Sequence, residues 1–94
     1  MLNDEFEWDD AKSASNLDKH GVSFEEACRV FRDPFAIELL DDRKDYDEER
    51  YILIGISDSL VLVIVHTELE TRHRIISARK AEPNERRYYY EENA

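Results

Sequence analysis

A run of six apolar residues at positions 60–65, Leu-Val-Leu-Val-Ile-Val, restricts the possible folds of this chain more than any other feature. Ile and Val favour strands, and a strand that is apolar at every position must be covered on both faces. The chain therefore needs a sheet with this strand at its centre and packing layers on both sides. The run is far shorter than the roughly 20 apolar residues that span a bilayer, so no membrane contact is expected.

Two helices are predicted ahead of the sheet. Residues 5–8 alternate polar and apolar side chains, which is typical of a short strand. Asp9 or Asp10 can then cap a helix that ends before Gly21, since glycine suits the left-handed position after a helix. The Ser-x-x-Glu spacing of residues 23–26 is a capping box that opens a second helix, and an Asp-Pro pair closes it.

The remaining residues predict an antiparallel meander and one more helix. Pro83 suits the first turn of that last helix. The predicted strands cover residues 35–40, 51–56, 60–67 and 72–78, with an acidic connector at 41–49 and a hairpin turn at 57–59. The predicted fold class is α+β, with two N-terminal helices packed on an antiparallel sheet and a C-terminal helix, in a single domain over residues 1–94.

Alternation in the last predicted strand assigns its side chains to two faces. It puts Arg72, Arg74 and Ile76 on one face, and the other face receives His73, Ile75 and Ser77.

The charge of the chain is uneven. The net charge is −10, and residues 1–50 hold 16 acidic and 7 basic residues. Residues 72–87 instead hold six basic residues against two acidic ones. The overall charge repels a polyanion, but a local basic patch can still bind phosphates. The alternative is an ordinary solvated surface.

Several kinds of site are not predicted. One cysteine, Cys28, excludes an intramolecular disulfide and a cysteine zinc cage, and its helical position predicts a packed thiol. His20, His66 and His73 lack the usual metal-ligand spacings, so neither a metal nor another cofactor is expected. The acidic residues Asp4 and Glu5 close to Met1 do not resemble a signal peptide, so a cytoplasmic protein is expected.

What remains is a set of cationic and proton-transfer groups on the first helix, the last strand and the closing helix. Cleavage of RNA without a metal needs a base for the 2′-hydroxyl, cations for the phosphate and an acid for the 5′-oxygen. His20 is a candidate because a helix C-terminus stabilises a protonated imidazole. Each group also has a structural interpretation, as a solvated lysine, a helix cap, an ion pair or a packing tyrosine. The other candidates are Lys12, Asn16, Lys19, Arg74, Arg79, Glu85, Arg86 and Tyr89.

The sequence resembles the BrnT family of type II toxin–antitoxin toxins. The most specific matching blocks are Lys-His-Gly-Val-Ser-Phe-Glu-Glu-Ala at residues 19–27 and Arg-Ile-Ile-Ser-Ala-Arg at residues 74–79. Further blocks lie in the same order at residues 6–9, 30–34 and 85–87. The resemblance therefore covers nearly the whole chain.

This resemblance implies a RelE-like ribonuclease fold and RNA cleavage that inhibits translation. It also implies a BrnA-like antitoxin with a ribbon-helix-helix domain, through which alone the pair would bind operator DNA. The residues that it marks as the active surface are Lys19, His20, Arg74, Arg79, Glu85 and Tyr89. Additional RNA contacts are expected from Lys12, Arg72, Lys80 and Arg86.

The resemblance leaves the roles of these residues open. The hypothesis is that His20 or Glu85 is the base, that the arginines clamp the phosphate, and that Tyr89 donates a proton or positions another group. Glu82 stands where the family commonly has threonine, and positive charge is lost beside it. The alternative function is therefore a weak or inactive toxin homologue that acts as a binding partner of a ribbon-helix-helix repressor.

Overall fold

The computed structural model describes residues 1–42 and 48–94, and it confirms the α+β class. Residues 43–47 of the predicted acidic connector lie outside the described residues. None of the helices in the described ranges has the length and apolar character needed to cross a bilayer. The elements are β1 (Phe6–Glu7), α1 (Asp10–His20), α2 (Phe24–Val30), β2 (Ile37–Asp41), β3 (Arg50–Ser57), β4 (Leu60–Glu68), β5 (His73–Lys80) and α3 (Pro83–Glu92).

The five strands form one sheet in the order β1-β5-β4-β3-β2, with β4 at the centre as predicted. The strands β2 to β5 form the expected antiparallel meander. The prediction of a wholly antiparallel sheet is wrong at one edge, because β1 pairs with β5 in parallel. Parallel neighbours need a long connection, and the two helices and three strands between β1 and β5 supply it.

Both faces of β4 are covered, as its apolar sequence requires. Leu62 and Ile64 pack with Phe24 of α2 on the face that we call the α1/α2 face. Val61 and Val63 point the other way and pack beside α3, on the α3 face. The apolar run at positions 60–65 therefore belongs to both hydrophobic clusters.

One extra residue in β5 changes which of its side chains share a face. Val65 pairs with Ser77, whereas the next residue of β4, His66, pairs with Ile75, so the register skips Ile76. Such a β-bulge interrupts the alternation of the strand. The predicted placement of Ser77 beside Ile75 is therefore wrong, and Ser77 lies on the α3 face.

The predicted helix caps are confirmed. The Asp9 side chain accepts a hydrogen bond from the first turn of α1, and Gly21 ends the helix with a φ of 70°. Ser23 and Glu26 form the reciprocal capping box of α2. Cys28 is half-buried, and burial raises the pKa of its thiol to about 11, as expected for a packed thiol.

A buried side-chain amide joins α1 to the sheet. The Asn16 amide nitrogen donates to the carbonyl oxygens of Val22 and Ala78, at 2.9 and 2.8 Å, and its oxygen accepts from the Ala78 N–H at 3.2 Å. Asn16 thus forms with the Ala78 backbone the pair of hydrogen bonds that a neighbouring strand would form. The structure gives Asn16 an architectural role, whereas the sequence had suggested it as a candidate site residue.

A second polar contact holds α3 against the loop after α2. The Tyr89 hydroxyl donates to Asp33 at 2.5 Å, and the same carboxylate oxygen accepts from the Ile56 N–H at 2.8 Å. Burial alone would raise the pKa of Asp33, but hydrogen bonds from Tyr89, Ile56 and Phe35 outweigh it and lower that pKa. Asp33 therefore links α3, β3 and the turn that precedes β2.

Replacing Asn16 should destabilise the protein strongly. In Asn16→Ala the backbone groups of Ala78 lose their partner, and unsatisfied buried groups cost about 1–3 kcal/mol each. We expect a loss of at least about 2 kcal/mol in the free energy of unfolding, measured by urea denaturation. Ser15→Ala, at an exposed position of the same helix, is the control. Equal effects of the two substitutions would contradict the assigned role.

Tyr89→Phe should destabilise the protein in a pH-dependent way. Hydrogen bonds to charged groups contribute about 1.5–3 kcal/mol, so we expect a loss of that order at pH 7. Because the folded pKa of Asp33 is lowered, this contribution is present above the unfolded pKa of about 4 and is lost as the pH falls through the folded value. The difference from wild type should therefore shrink in acid. Tyr90→Phe is the control, and a loss that is independent of pH would count against the Asp33 contact.

Candidate functional site

A cleft of about 470 Å³ lies on the α3 face and brings together three of the predicted site residues. His20, Arg79 and Glu85 lie in its wall together with the Ser77 hydroxyl. The apolar part of the lining is Ile52, Val63 and Val65. An imidazole, a guanidinium and a carboxylate thus surround one hollow whose volume is within the usual range of ligand pockets.

Three elements meet at this cleft. His20 is the last residue of α1, which Asn16 ties to β5 through Ala78. Arg79 projects from β5 on the α3 face because the bulge resets the alternation of the strand. Glu85 lies in the first turn of α3, where its carboxylate accepts the Glu82 N–H at 2.8 Å. The capping arrangement and the site therefore share Glu85.

Arg79 and Glu85 form a two-bond ion pair at the cleft. The guanidinium donates to the two carboxylate oxygens at 2.7 and 2.9 Å. The two side chains are 34% and 21% exposed, so the pair is in contact with solvent. Bidentate pairing fixes the plane of the guanidinium, and a planar, oriented guanidinium is well suited to a phosphate.

Arg74 lies on the same face of β5 as Arg79. It pairs with Thr67 across the sheet, whereas Arg79 pairs with Val63, and both partners alternate on one face of β4. The Arg74 guanidinium donates to Glu7 of β1 at 2.6 Å. The predicted arginines thus share a face, but Arg74 is not among the residues that line the cleft.

Tyr89 lies apart from His20, Arg79 and Glu85. It is 3% exposed in the cluster between α3 and the sheet. Burial, followed by the hydrogen bond to Asp33, raises the pKa of Tyr89 far above its usual range. Its hydroxyl is therefore held as a donor to Asp33.

The other predicted residues are spread around the molecule. Lys12 and Lys19 are exposed on α1, and Lys80 is exposed at the end of β5. The Arg72 guanidinium donates to the carbonyl oxygen of Asn3 at 2.7 Å, and that of Arg86 donates to the carbonyl oxygen of Ala81 at 2.9 Å. Within the described residues, none of these five side chains lines the cleft.

The structure also brings together two histidines that the sequence analysis had set aside. His66 and Glu68 are two apart on β4, and Glu68 pairs with His73 across the β4–β5 hairpin. All three lie on the α1/α2 face, opposite the cleft. Burial lowers the pKa of His66, although Glu68 and Glu38 favour its charged form. This group could have been predicted from the two-residue spacing of His66 and Glu68, because residues two apart on a strand share a face.

Comparison with known proteins identifies the family. No curated protein sequence matches the chain. A family model described as "Ribonuclease toxin, BrnT, of type II toxin-antitoxin system" matches residues 8–85, which include His20, Arg79 and Glu85 of the cleft. The chain therefore belongs to the BrnT family of ribonuclease toxins of type II toxin–antitoxin systems.

Proposed function

We propose that this protein is an endoribonuclease toxin that cleaves RNA without a metal ion and thereby inhibits translation. The observation that carries the proposal is the cleft in which His20, Arg79 and Glu85 meet. These groups would supply two of the three requirements of metal-free phosphodiester cleavage, namely a proton acceptor and a cation for the phosphate. We also place the fold among the RelE-like ribonucleases.

His20 is our candidate for the base. Both oxygens of Glu85 accept from Arg79, and one also accepts the Glu82 N–H, so Glu85 is occupied as an orienting group. The imidazole of His20 would take the proton of the RNA 2′-hydroxyl. The 2′-oxygen would then attack phosphorus, the bond to the 5′-oxygen would break, and the departing oxygen would take a proton from solvent.

The arginines would neutralise the charge that builds on the phosphate. Arg79 lies in the cleft, and Arg74 lies on the same face of β5, where it would contact a neighbouring phosphate. Lys12, Lys19, Arg72, Lys80 and Arg86 would extend the contact along the RNA backbone. We give Tyr89 a positioning role, since its contact with Asp33 holds the helix that carries Glu85.

The antitoxin is proposed to cover this cleft. A BrnA-like protein with a ribbon-helix-helix domain would bind the α3 face. The toxin would bind operator DNA only through this antitoxin. An exposed apolar side chain supports that placement, because Leu39 of the terminal strand β2 is 39% exposed and shares the α3 face with its ladder partner Ile52. Leu39 also lines a second hollow together with Glu85 and Tyr88, directly beside α3.

Purified protein, freed of antitoxin, should cleave RNA in the presence of EDTA. His20→Asn should lower the cleavage rate by about 10²–10⁴-fold, as expected for the loss of a general base. Arg79→Ala should abolish measurable cleavage, whereas Glu85→Gln should cost only about tenfold, because the amide still orients Arg79 through one bond. Rates are measured on a labelled RNA, with circular dichroism to check folding.

Arg87→Ala is the matched control, since it removes an exposed arginine of α3 that does not line the cleft. It should leave the cleavage rate within about twofold of wild type, because it changes only distant charge. Intact RNA with verified antitoxin-free wild-type protein would reject the nuclease. That outcome would favour the alternative, an inactive homologue that serves as a repressor's partner.

The alternative has one structural observation in its favour. Arg74 and Arg79 both hold carboxylates of the same chain, Glu7 and Glu85. In such a protein the arginines would stabilise the fold and would not bind phosphate. Arg79→Ala would then lower stability without changing any RNA-directed property.

Leu39→Asp should weaken binding of the antitoxin. The substitution puts a charge into the apolar surface beside α3, and losing a central apolar contact typically costs more than about 1 kcal/mol, or at least fivefold in Kd. The affinity is measured by titration calorimetry with the adjacent gene product. Leu2→Asp is the control, because Leu2 is also exposed but bridges to β1, at the opposite edge of the sheet. Equal losses in both variants would reject the proposed surface.

A further inference from the structure

We propose that His66, Glu68 and His73 bind a first-row divalent metal ion, Zn²⁺ in particular, on the face of the sheet opposite the cleft. This site is separate from the proposed nuclease chemistry. It would take the ion through two imidazole nitrogens and one carboxylate.

The strand register forms the site. His66 and Glu68 are two apart on β4 and share a face, and His73 lies directly across the ladder from Glu68. One ligand atom from each residue lies within 4.8 Å of the others. Tetrahedral Zn²⁺ with bonds near 2.1 Å keeps its ligand atoms about 3.4 Å apart. The His66 Nδ1 atom is 3.5 Å from a Glu68 oxygen, close to that separation.

His73 and Glu68 lie slightly too close together for two ligands of one Zn²⁺ ion, and a small movement would separate them enough. The His73 Nδ1 atom is 2.6 Å from one Glu68 oxygen and 2.9 Å from the other. Both side chains are about one-third exposed, so they can separate by less than 1 Å without disturbing the core. Their exposure also leaves room for a water molecule as the fourth ligand.

His66 is the observation that points to a ligand. Its side chain is completely buried, and neither ring nitrogen has a hydrogen-bond partner among the described residues. Carboxylate oxygens of Glu68 and Glu38 lie 3.5 and 3.3 Å from the two nitrogens without forming hydrogen bonds. A buried imidazole that makes no hydrogen bond is costly, so such groups usually have a functional explanation. A metal ion on Nδ1 would satisfy the nitrogen that faces Glu68.

The second nitrogen of His66 has a neighbour suited to the same purpose. Its Nε2 atom is 3.3 Å from a carboxylate oxygen of Glu38 on β2. Metal-binding histidines commonly present their other N–H to a carboxylate, which fixes the tautomer and strengthens the ligand. Glu38 would therefore hold the Nε2 proton and direct the lone pair of Nδ1 to the metal.

Aromatic packing holds both imidazoles in place before any ion binds. The Phe31 ring lies 4.5 Å from the His73 ring and 4.9 Å from the His66 ring, measured between centroids. The Tyr51 ring also stacks on His66, with 5.7 Å between the centroids. Two nitrogens and one oxygen suit Zn²⁺ better than Mg²⁺ or Ca²⁺, which prefer oxygen ligands throughout.

The test is direct metal binding by the tag-free, full-length protein. After treatment with a chelator and dialysis, titration with Zn²⁺ should give one bound ion per chain, and Mg²⁺ at equal concentration should give none. Co²⁺ should produce the visible absorption of a tetrahedral site. Glu68→Gln and His73→Asn should each weaken Zn²⁺ binding at least tenfold. Glu38→Gln should weaken it by about 10–100-fold.

Two control variants keep the histidine and carboxylate content comparable. His20→Asn removes a histidine from the cleft, and Glu70→Gln removes an exposed carboxylate two residues after Glu68 in the chain. Both should bind Zn²⁺ as wild type does. The proposal is overturned if wild-type protein takes up no Zn²⁺, or if the control variants lose as much affinity as Glu68→Gln and His73→Asn. RNA cleavage is not part of the readout, so the result does not depend on the proposed nuclease.

Discussion

The skipped residue in β5, Ile76, determines which side chains of the last strand act together. Arg74 and Arg79 are five residues apart, so in a regular strand they would point to opposite faces. The register shift between Val65 and His66 puts both on the α3 face instead. The same shift keeps Ile75 and Ala78 in the core beneath the first two helices. Without the bulge, one of the two arginines would have to be buried under α1 and α2.

The two arginines are held by carboxylates of the same chain, so both positive charges are already paired within the protein. Arg79 binds Glu85 and Arg74 binds Glu7, in pairs that are partly open to solvent. Partly exposed ion pairs contribute only about 0–1 kcal/mol to folding stability. The pairs orient the guanidinium groups in a chain that carries a net charge of −10. In the proposed function, RNA affinity would depend on these oriented guanidinium groups rather than on attraction by the whole molecule.

Local signals in the sequence were sufficient for much of the fold. The capping box at Ser23, the glycine after α1 and the apolar run of β4 each follow from short-range chemistry, and all three are confirmed. Long-range pairing was not accessible in this way. The alternation of residues 5–8 does not specify whether their partner strand is parallel or antiparallel. No residue type in β5 predicts the bulge at Ile76. Asn16 illustrates the same limit, because its buried partner, Ala78, is 62 residues away.

The β4–β5 hairpin connects the two faces of the sheet mechanically. His73 and Arg74 are adjacent on β5 and point to opposite faces. A contact that holds His73 on the α1/α2 face therefore also holds Arg74 on the α3 face. His66 adjoins the bulge itself, and Glu68 pairs with His73 at the end of the ladder. An ion bound by these three residues would join both strands across the point where the register changes. Because slipping by one residue would exchange the two faces, such a link would preserve the orientation of Arg74 and Arg79 without touching the cleft.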